Sequence, residues 1–191
     1  MAPNSSFKGS NAFRRMLEWN GELPRPVNTL VHHLILAQAV QHPKSQAVCS
    51  CDYSLTYSEL DNLSSRLAKY LISQGVGVEV IVPLCFEKSV WAIVSVLAVL
   101  KAGGAFLLLD SSQPISRLES ITSQAGSSFA LSSRASFDTC QALVSNVFVV
   151  DATTLSKLDG ILSCESTKPN NAAYYIFTSG STGSPKGVIS M

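Results

Sequence analysis

The residues best suited to chemistry lie together near the end of this sequence, in a segment rich in glycine and hydroxyl side chains. Positions 178–187 hold Thr178, Ser179, Gly180, Ser181, Thr182, Gly183, Ser184, Pro185, Lys186 and Gly187. Backbone N–H groups in glycine-rich turns form concave sites for anions, and we expect Gly180, Gly183 and Gly187 to adopt positive φ and allow close approach. Hydroxyl groups donate hydrogen bonds, and a lysine ammonium suits phosphate. This composition predicts a phosphate-binding loop.

A flexible Ser/Gly linker is the alternative interpretation of the same segment. Two neighbouring features favour the loop, because the apolar run 174–177 leads directly into it and Pro185 stiffens the backbone beside Lys186. Val188 and Ile189 then predict a second strand rather than a helix. We therefore expect a loop between two strands that binds phosphate without a helix dipole.

The spacing of the glycines excludes the familiar phosphate-binding patterns. A Walker loop has four residues between its glycines and continues as Gly-Lys-Ser/Thr. Here the fifth residue after Gly180 is Pro185, and Lys186 is followed by Gly187. The dinucleotide pattern G-x-G-x-x-G also fails, because the glycines are spaced by three and four positions.

Three motifs of one enzyme family, and a segment that usually follows the second of them, have counterparts in this sequence in the family's order. Residues 177–187 resemble the AMP-binding signature of the acyl-adenylate-forming enzymes. The remaining matches are to adenylation domains of nonribosomal peptide synthetases, and the sequence resembles the fungal members in particular. Those matches are Leu55-Thr-Tyr-Ser-Glu-Leu60 for the first core motif, Leu100-Lys-Ala-Gly-Gly-Ala-Phe-Leu-Leu-Leu-Asp110 for the second, and Pro114-Ile-Ser-Arg-Leu118 for the segment that follows. Leu108 stands where the second motif usually has proline, in a motif that is mostly structural. The resemblance covers roughly residues 27–191.

The resemblance implies activation of a carboxylic acid by Mg²⁺ and ATP. In this family the carboxylate attacks the α-phosphorus, pyrophosphate leaves, and the acyl group of the adenylate passes to the phosphopantetheine thiol of a carrier domain. Carried over by position, the triphosphate would be bound by Thr178, Ser179, Gly180, Ser181, Thr182, Gly183 and Lys186. Lys186 would also act catalytically by neutralising negative charge during the transfer, a task of positioning and electrostatics.

The family's substrate pocket, its adenine- and ribose-binding motifs and its C-terminal catalytic lysine cannot be placed before Met191. We therefore expect the N-terminal part of an amino-acid-adenylating ligase, inactive alone. Its expected partners are ATP, an amino or other carboxylic acid, a downstream adenylation subdomain and a carrier domain. The alternatives are a fragment of an acyl-CoA or aryl-acid ligase relative and a non-catalytic nucleotide-binding remnant.

The elements that must position the loop alternate between strands and helices. This rhythm predicts an α/β fold with a mainly parallel sheet and helices on both faces, and the resemblance makes it a truncated N-terminal subdomain of the adenylate-forming fold. Thr56 and Glu59 predict a capping box, with Gly75 closing the helix that follows. The other expected helices are 29–41, 89–101, 116–124 and 137–143, and the expected strands are 47–51, 53–55, 78–85, 105–109, 128–131, 147–150 and 174–177.

Composition and the first residues of the chain limit its expected partners and cellular location. A net charge of +1 gives no reason to expect nucleic acid or an anionic membrane as a partner. Residues 1–10 lack the apolar core of a signal peptide, which favours a reducing, cytoplasmic location. Residues 90–109 are apolar, but Lys101 and Gly103-Gly104 favour a buried helix followed by a strand over a membrane span. We divide the chain into a flexible lead-in, 1–26, and an incomplete adenylation domain, 27–191.

Four other polar features could in principle do chemistry, and for each we favour a structural role. Asp110 is expected to cap the turn before Pro114 rather than to bind magnesium or an amine. Lys101 is expected to be a helix-end residue. Cys49-Ser50-Cys51 and His32-His33 lack the spacing of a zinc site, so we expect packing or surface roles and assign no residue to a metal.

Overall fold

A six-stranded sheet organises the computed structural model of the chain, which describes residues 11–21, 27–50, 53–160, 167–178 and 186–190. The helices are α1 Asn11–Trp19, α2 Val31–Gln41, α3 Tyr57–Ser73, α4 Val90–Lys101, α5 Ile115–Ala125, α6 Phe137–Leu143 and α7 Ala152–Ser156. The strands are β1 Gln46–Cys49, β2 Ser54–Thr56, β3 Ile81–Cys85, β4 Ala105–Leu109, β5 Phe129–Ser132, β6 Asn146–Val149, β7 Tyr174–Thr178 and β8 Lys186–Ser190.

The strand order of the main sheet is β6-β5-β3-β4-β7-β8, and β1 and β2 form a separate antiparallel hairpin. All neighbours in the main sheet are parallel except β7 and β8, which are antiparallel. The predicted α/β class and mainly parallel sheet are therefore confirmed. The carboxyl ends of β3, β4 and β7 lie at one edge of this sheet, which is where open α/β sheets place their ligands.

Helices cover both faces of the sheet. On one face, Leu84 and Leu131 pack in a core with Leu67 of α3 and Leu97 of α4. On the opposite face, the core is formed by Cys85, Leu107, Leu109, Leu118, Ile121, Ala130, Cys140 and Val144, from three strands together with α5, α6 and the residue after α6. Alternate strand residues point to opposite faces, so each buried strand contributes to both cores.

The predicted capping box at the start of α3 is confirmed. The Thr56 side chain accepts a hydrogen bond from the Glu59 backbone N–H, and the Glu59 carboxylate accepts one from the Thr56 backbone N–H at 2.8 Å. The Thr56 backbone N–H and then the Thr56 hydroxyl lower the pKa of Glu59. Gly75 follows α3 with φ of +87°, as expected for a residue that closes a helix.

The strand predicted at 78–85 begins only at Ile81, because the chain turns first. Glu79 has φ of +64°, which is unusual for a residue other than glycine. Its carboxylate accepts hydrogen bonds from the Asn171 side chain and the Ala172 backbone N–H, both at 3.2 Å. Glu79 thus ties the start of β3 to the residues that lead into β7.

The role predicted for Lys101 is only partly right. It is the last residue of α4, but its side chain is buried and reaches α3. The ammonium lies 2.6 Å from Asp61 Oδ1, 2.8 Å from Ser64 Oγ and 2.9 Å from Ser65 Oγ. Lys101 therefore joins the two helices through an ion pair with the partly exposed Asp61, and it does more than occupy a helix end. Among the described residues, no helix combines the length and apolar character needed to cross a bilayer.

One helix and one capping box were not predicted. α1 lies within the predicted lead-in and buries none of its residues, so the division at residue 26 stays a prediction. Asp151 caps α7, accepting from the Thr154 backbone N–H at 2.8 Å. Apart from this short helix, the described residues between β6 and β7 lack helices and strands, and residues 161–166 lie outside the described residues.

Candidate functional site

The candidate site begins where β7 ends and β8 starts. Thr178 and Lys186 are directly opposite each other in the antiparallel register. The Thr178 hydroxyl donates a hydrogen bond to the Lys186 carbonyl oxygen at 3.4 Å. Directly opposed residues share a face of the sheet with Cβ atoms about 5 Å apart. Both side chains are exposed, so a hydroxyl donor and an ammonium stand together at this end of the sheet.

The sequence predicted more of the loop than the structure describes. Thr178 and Lys186 are described and lie opposite each other, a pairing that the sequence did not predict. The other predicted binding residues, Ser179, Gly180, Ser181, Thr182 and Gly183, lie outside the described residues. Their roles in binding stay predictions.

Gly187 does not have the role that the sequence predicted. We expected it to adopt positive φ beside the ligand, but it is a strand residue of β8 and is not among the glycines with positive φ. Its cross-strand partner is Phe177, whose ring lies against the glycine. Gly187 therefore makes room for the Phe177 ring. The sequence signal for this packing is an aromatic residue at the end of one strand and a glycine at the start of the next.

Asp110 follows β4 at the same edge of the sheet as Thr178. Its Oδ1 accepts from the Ser112 backbone N–H at 3.0 Å and from the Ser112 hydroxyl at 2.7 Å. The hydroxyl and then the backbone N–H of Ser112 lower the pKa of Asp110. These contacts confirm the predicted turn-capping role.

A cavity of about 410 Å³, which the sequence did not predict, lies beside the candidate loop between β4, β7 and α5. Tyr175 and Phe177 line its sheet side. Its polar residues are Asp110, Gln113 and Arg117, and Arg117 Nε donates to Gln113 Oε1 at 2.8 Å. The cavity therefore places one guanidinium and one carboxylate near the start of the loop.

The described residues offer little to a resident metal ion. No group of three or more His, Cys, Asp or Glu side chains is arranged to hold one within the described parts of the chain. Magnesium in phosphate sites is commonly held by one or two carboxylates together with substrate phosphates, so this does not conflict with Mg²⁺ arriving with a nucleotide. His32 is buried, which agrees with the predicted packing role, and Cys49 is a free exposed thiol.

Comparison with known proteins gives a consistent match. The family model for the AMP-binding enzyme matches residues 35–190. N-benzoylphenylalaninol synthetase apmA of Penicillium brevicompactum is 45% identical over 91% of this chain, which spans 7% of that protein. Nonribosomal peptide synthetase imqB of Aspergillus flavus is 44% identical over 92% of the chain, which spans 5% of it.

Solved structures give the same result. The alpha-methyl-L-serine-AMP-bound form of the nonribosomal peptide synthetase FmoA3 superposes with a TM-score of 0.81 at 27% identity, covering 94% of this chain and 20% of that one. The Klebsiella oxytoca NpsA N-terminal subdomain superposes with a TM-score of 0.73 at 23% identity, covering 85% of this chain and 42% of that one. This second match shows that the fold is that of an N-terminal subdomain. The chain spans less than half the length of the relatives and structures named here.

Proposed function

Because the chain belongs to the AMP-binding enzyme family and corresponds to the N-terminal part of a nonribosomal peptide synthetase adenylation domain, we propose that its β7–β8 loop binds the triphosphate of ATP during carboxylate adenylation. The opposed pair of Thr178 and Lys186 carries this proposal. It supplies a hydroxyl donor and a cation at the two ends of a loop whose other residues are glycines, hydroxyls and a proline. Charge and donors in that arrangement suit a polyphosphate.

Each described residue has a definite task in this account. The Lys186 ammonium is exposed and free to follow the phosphates, so it lowers the energy of negative charge that moves onto the leaving pyrophosphate. The Thr178 hydroxyl donates a hydrogen bond to a phosphate oxygen from the end of the opposite strand. ATP supplies the α-phosphorus that the carboxylate attacks, and Mg²⁺ accompanies its phosphates. The carboxylic acid is an amino acid or a related acid, and the acyl group then passes to the phosphopantetheine of a carrier domain.

The proposal also covers the cellular location of the full synthetase and the activity of this chain alone. The longer synthetase works in the cytoplasm, in keeping with the free thiols of Cys49, Cys85 and Cys140. The chain does not adenylate by itself, a proposal supported by its covering only 20% of the FmoA3 chain. An amino-acid-dependent exchange of pyrophosphate into ATP by the purified chain would overturn this part.

Ligand selectivity tests the proposal on the purified chain. ATP binding is measured by isothermal titration calorimetry in the presence of Mg²⁺, and competition is measured with inorganic tripolyphosphate and with adenosine. If the loop binds the phosphates, we expect tripolyphosphate to displace ATP and adenosine not to displace it. Displacement by adenosine alone would place recognition on the base and remove the loop from the account.

A further inference from the structure

Asn20 is followed directly by Gly21, and no other asparagine of the sequence is followed by glycine. The two residues lie just beyond α1, which ends at Trp19, and both are exposed. Glycine has no Cβ atom to shield its backbone nitrogen, and it leaves the backbone more freedom than any other residue does. The Gly21 nitrogen is therefore the backbone nitrogen best placed in this chain to attack the amide of the asparagine before it.

The side chain of Asn20 helps to close the end of α1. Its Nδ2 donates a hydrogen bond to the Met16 carbonyl oxygen at 2.7 Å, and the Asn20 backbone N–H donates to the same oxygen at 3.2 Å. The Gly21 backbone N–H donates to the Glu18 carbonyl oxygen at 3.3 Å. These bonds satisfy carbonyl groups of the last turn, which have no partners within the helix itself.

Packing contributes little to the stability of α1. The helix has nine residues and buries none of them. Isolated helices shorter than about 12 residues are marginal in water, so the end of α1 opens readily and exposes the Gly21 nitrogen. For the same reason, a hydrogen bond lost at Asn20 is not offset by contacts elsewhere along the helix.

We propose that Asn20 is a self-modification site, at which the chain converts asparagine to aspartate and isoaspartate and thereby opens the end of α1. The Gly21 backbone nitrogen loses its proton and attacks Asn20 Cγ. The new C–N bond forms, the Cγ–Nδ2 bond breaks, and ammonia leaves from a cyclic imide. Water then opens the imide at either carbonyl. One asparagine and one water become one aspartate or isoaspartate and one ammonia, without any oxidation or reduction.

Neither product closes the helix as Asn20 does. A carboxylate has no N–H to donate to the Met16 carbonyl oxygen, and negative charge is unfavourable at the C-terminal end of a helix dipole. Isoaspartate also adds the side-chain methylene to the main chain, which moves the Gly21 N–H away from the Glu18 carbonyl oxygen. The modification therefore removes the hydrogen bonds that end α1.

Ageing of the purified chain at mildly alkaline pH tests the chemistry, because base removes the Gly21 amide proton. Peptide mapping by mass spectrometry should show the mass increase of an amide that has become an acid at Asn20, in separate chromatographic peaks for aspartate and isoaspartate. Asn62 and Asn146 are exposed internal controls, followed by leucine and valine, and should be converted much more slowly. Conversion at Asn20 that is no faster than at these two residues would overturn the proposal.

Gly21→Ala is the matched variant for the attacking residue. A Cβ atom at position 21 would lie 3.4 Å from the carbonyl oxygens of Leu17 and Glu18, which is van der Waals contact, and Gly21 is not among the glycines with positive φ. Alanine therefore fits the end of α1 while it shields the backbone nitrogen. The variant should keep Asn20 intact during ageing, and conversion as fast as in the wild type would overturn the proposed attack.

Hydrogen exchange of the α1 amides tests the effect on the helix. Asn20→Asp reproduces one of the two products, and it should lower the protection of these amides about fivefold, the factor that corresponds to one hydrogen bond of ordinary strength. Aged wild type should lose protection in the same way, and aged Gly21→Ala should keep it. Unchanged protection in Asn20→Asp and in the aged wild type would overturn the claim that the conversion opens α1.

Discussion

The Phe177 ring lies directly against Gly187 on the neighbouring strand. A Cβ atom at position 187 would be 3.2 Å from the ring carbon Cζ and 3.3 Å from Cε1. Gly187→Ala should therefore displace the ring and destabilise the hairpin that carries the proposed loop, by about 1 kcal/mol, since overpacking costs this much or more. Urea unfolding and hydrogen exchange of the β7 amides measure the effect.

Gly77→Ala is the matched control for this substitution. A Cβ at Gly77 meets no atom within 4 Å, and the residue has no positive φ. The change should be neutral, or stabilising by up to about 1 kcal/mol through the unfolded chain. Equal stability of the two alanine variants would show that the Phe177 ring does not require glycine.

The stability of the chain should respond unequally to loss of the buried Lys101 and of its partly exposed partner Asp61. The Lys101 side chain is 3% exposed and that of Asp61 is 40% exposed. Asp61→Asn removes the carboxylate that lies 2.6 Å from a buried ammonium and should cost about 3 kcal/mol. Lys101→Met leaves a carboxylate that water can reach, and should cost about 1 kcal/mol because exposure weakens the penalty.

Urea unfolding of both variants decides between these outcomes, with Lys44→Met as an exposed control that should change little. A larger loss in Lys101→Met than in Asp61→Asn would contradict the account, because it would mean that the partly exposed carboxylate is the group that depends on the pair.

The left-handed backbone of Glu79 reverses the usual ranking of alanine and glycine. Both Glu79→Ala and Glu79→Gly remove the hydrogen bonds to Asn171 and Ala172. Only glycine adopts a φ of +64° without strain, so Glu79→Gly should be more stable than Glu79→Ala by about 1 kcal/mol. The two free energies of unfolding, measured together, test this ranking, and a more stable alanine variant would show that the position is not strained.

The cap of α7 should make stability depend on pH through Asp151. The Thr154 backbone N–H, and to a lesser degree Arg134, lower the pKa of Asp151. A carboxyl group with a lowered pKa stabilises the folded state above its unfolded pKa of about 3.9, and this contribution is lost as the pH falls through the lower folded value. Asp151→Ala should cost about 1 kcal/mol at neutral pH.

The difference between wild type and Asp151→Ala should shrink in acid, as followed by urea unfolding over a pH series. Arg134→Ala is a useful comparison, because it removes the weaker partner and keeps the cap, and it should cost less at neutral pH. A difference that is constant from neutral pH to acid would show that the charge on Asp151 contributes nothing.

Local patterns in the sequence predicted the helices and strands better than they predicted the contacts between them. Strand β4 and helix α6 have the predicted bounds, and the Thr56 capping box has the predicted partners, because the residues that define them are adjacent in sequence. Asp61 lies 40 positions before Lys101, so no local pattern shows that the two helices meet there. The turn at Glu79 was missed for a similar reason, since distant Asn171 and Ala172 hold it.

The candidate site shows the same division. Residue types and spacing predicted a loop between two strands, and the structure pairs those strands as β7 and β8. Thr178 and Lys186 were predicted as loop residues, but they are opposed strand residues on either side of the loop. The role of Gly187 depends on a ring across the hairpin, and the cavity beside Arg117 depends on how α5 packs on the sheet. Neither can be deduced until the strands are paired.

The affinity of the chain for Mg²⁺ and ATP, before and after removal of the Lys186 ammonium, tests the central claim most directly. We expect saturable binding that Lys186→Ala weakens about tenfold, which corresponds to about 1.4 kcal/mol and is the low end for a hydrogen bond to a charged group. Lys168→Ala removes an exposed lysine before β7 and should leave the dissociation constant unchanged. Equal affinities of wild type and Lys186→Ala would contradict the claim that this loop binds the phosphates.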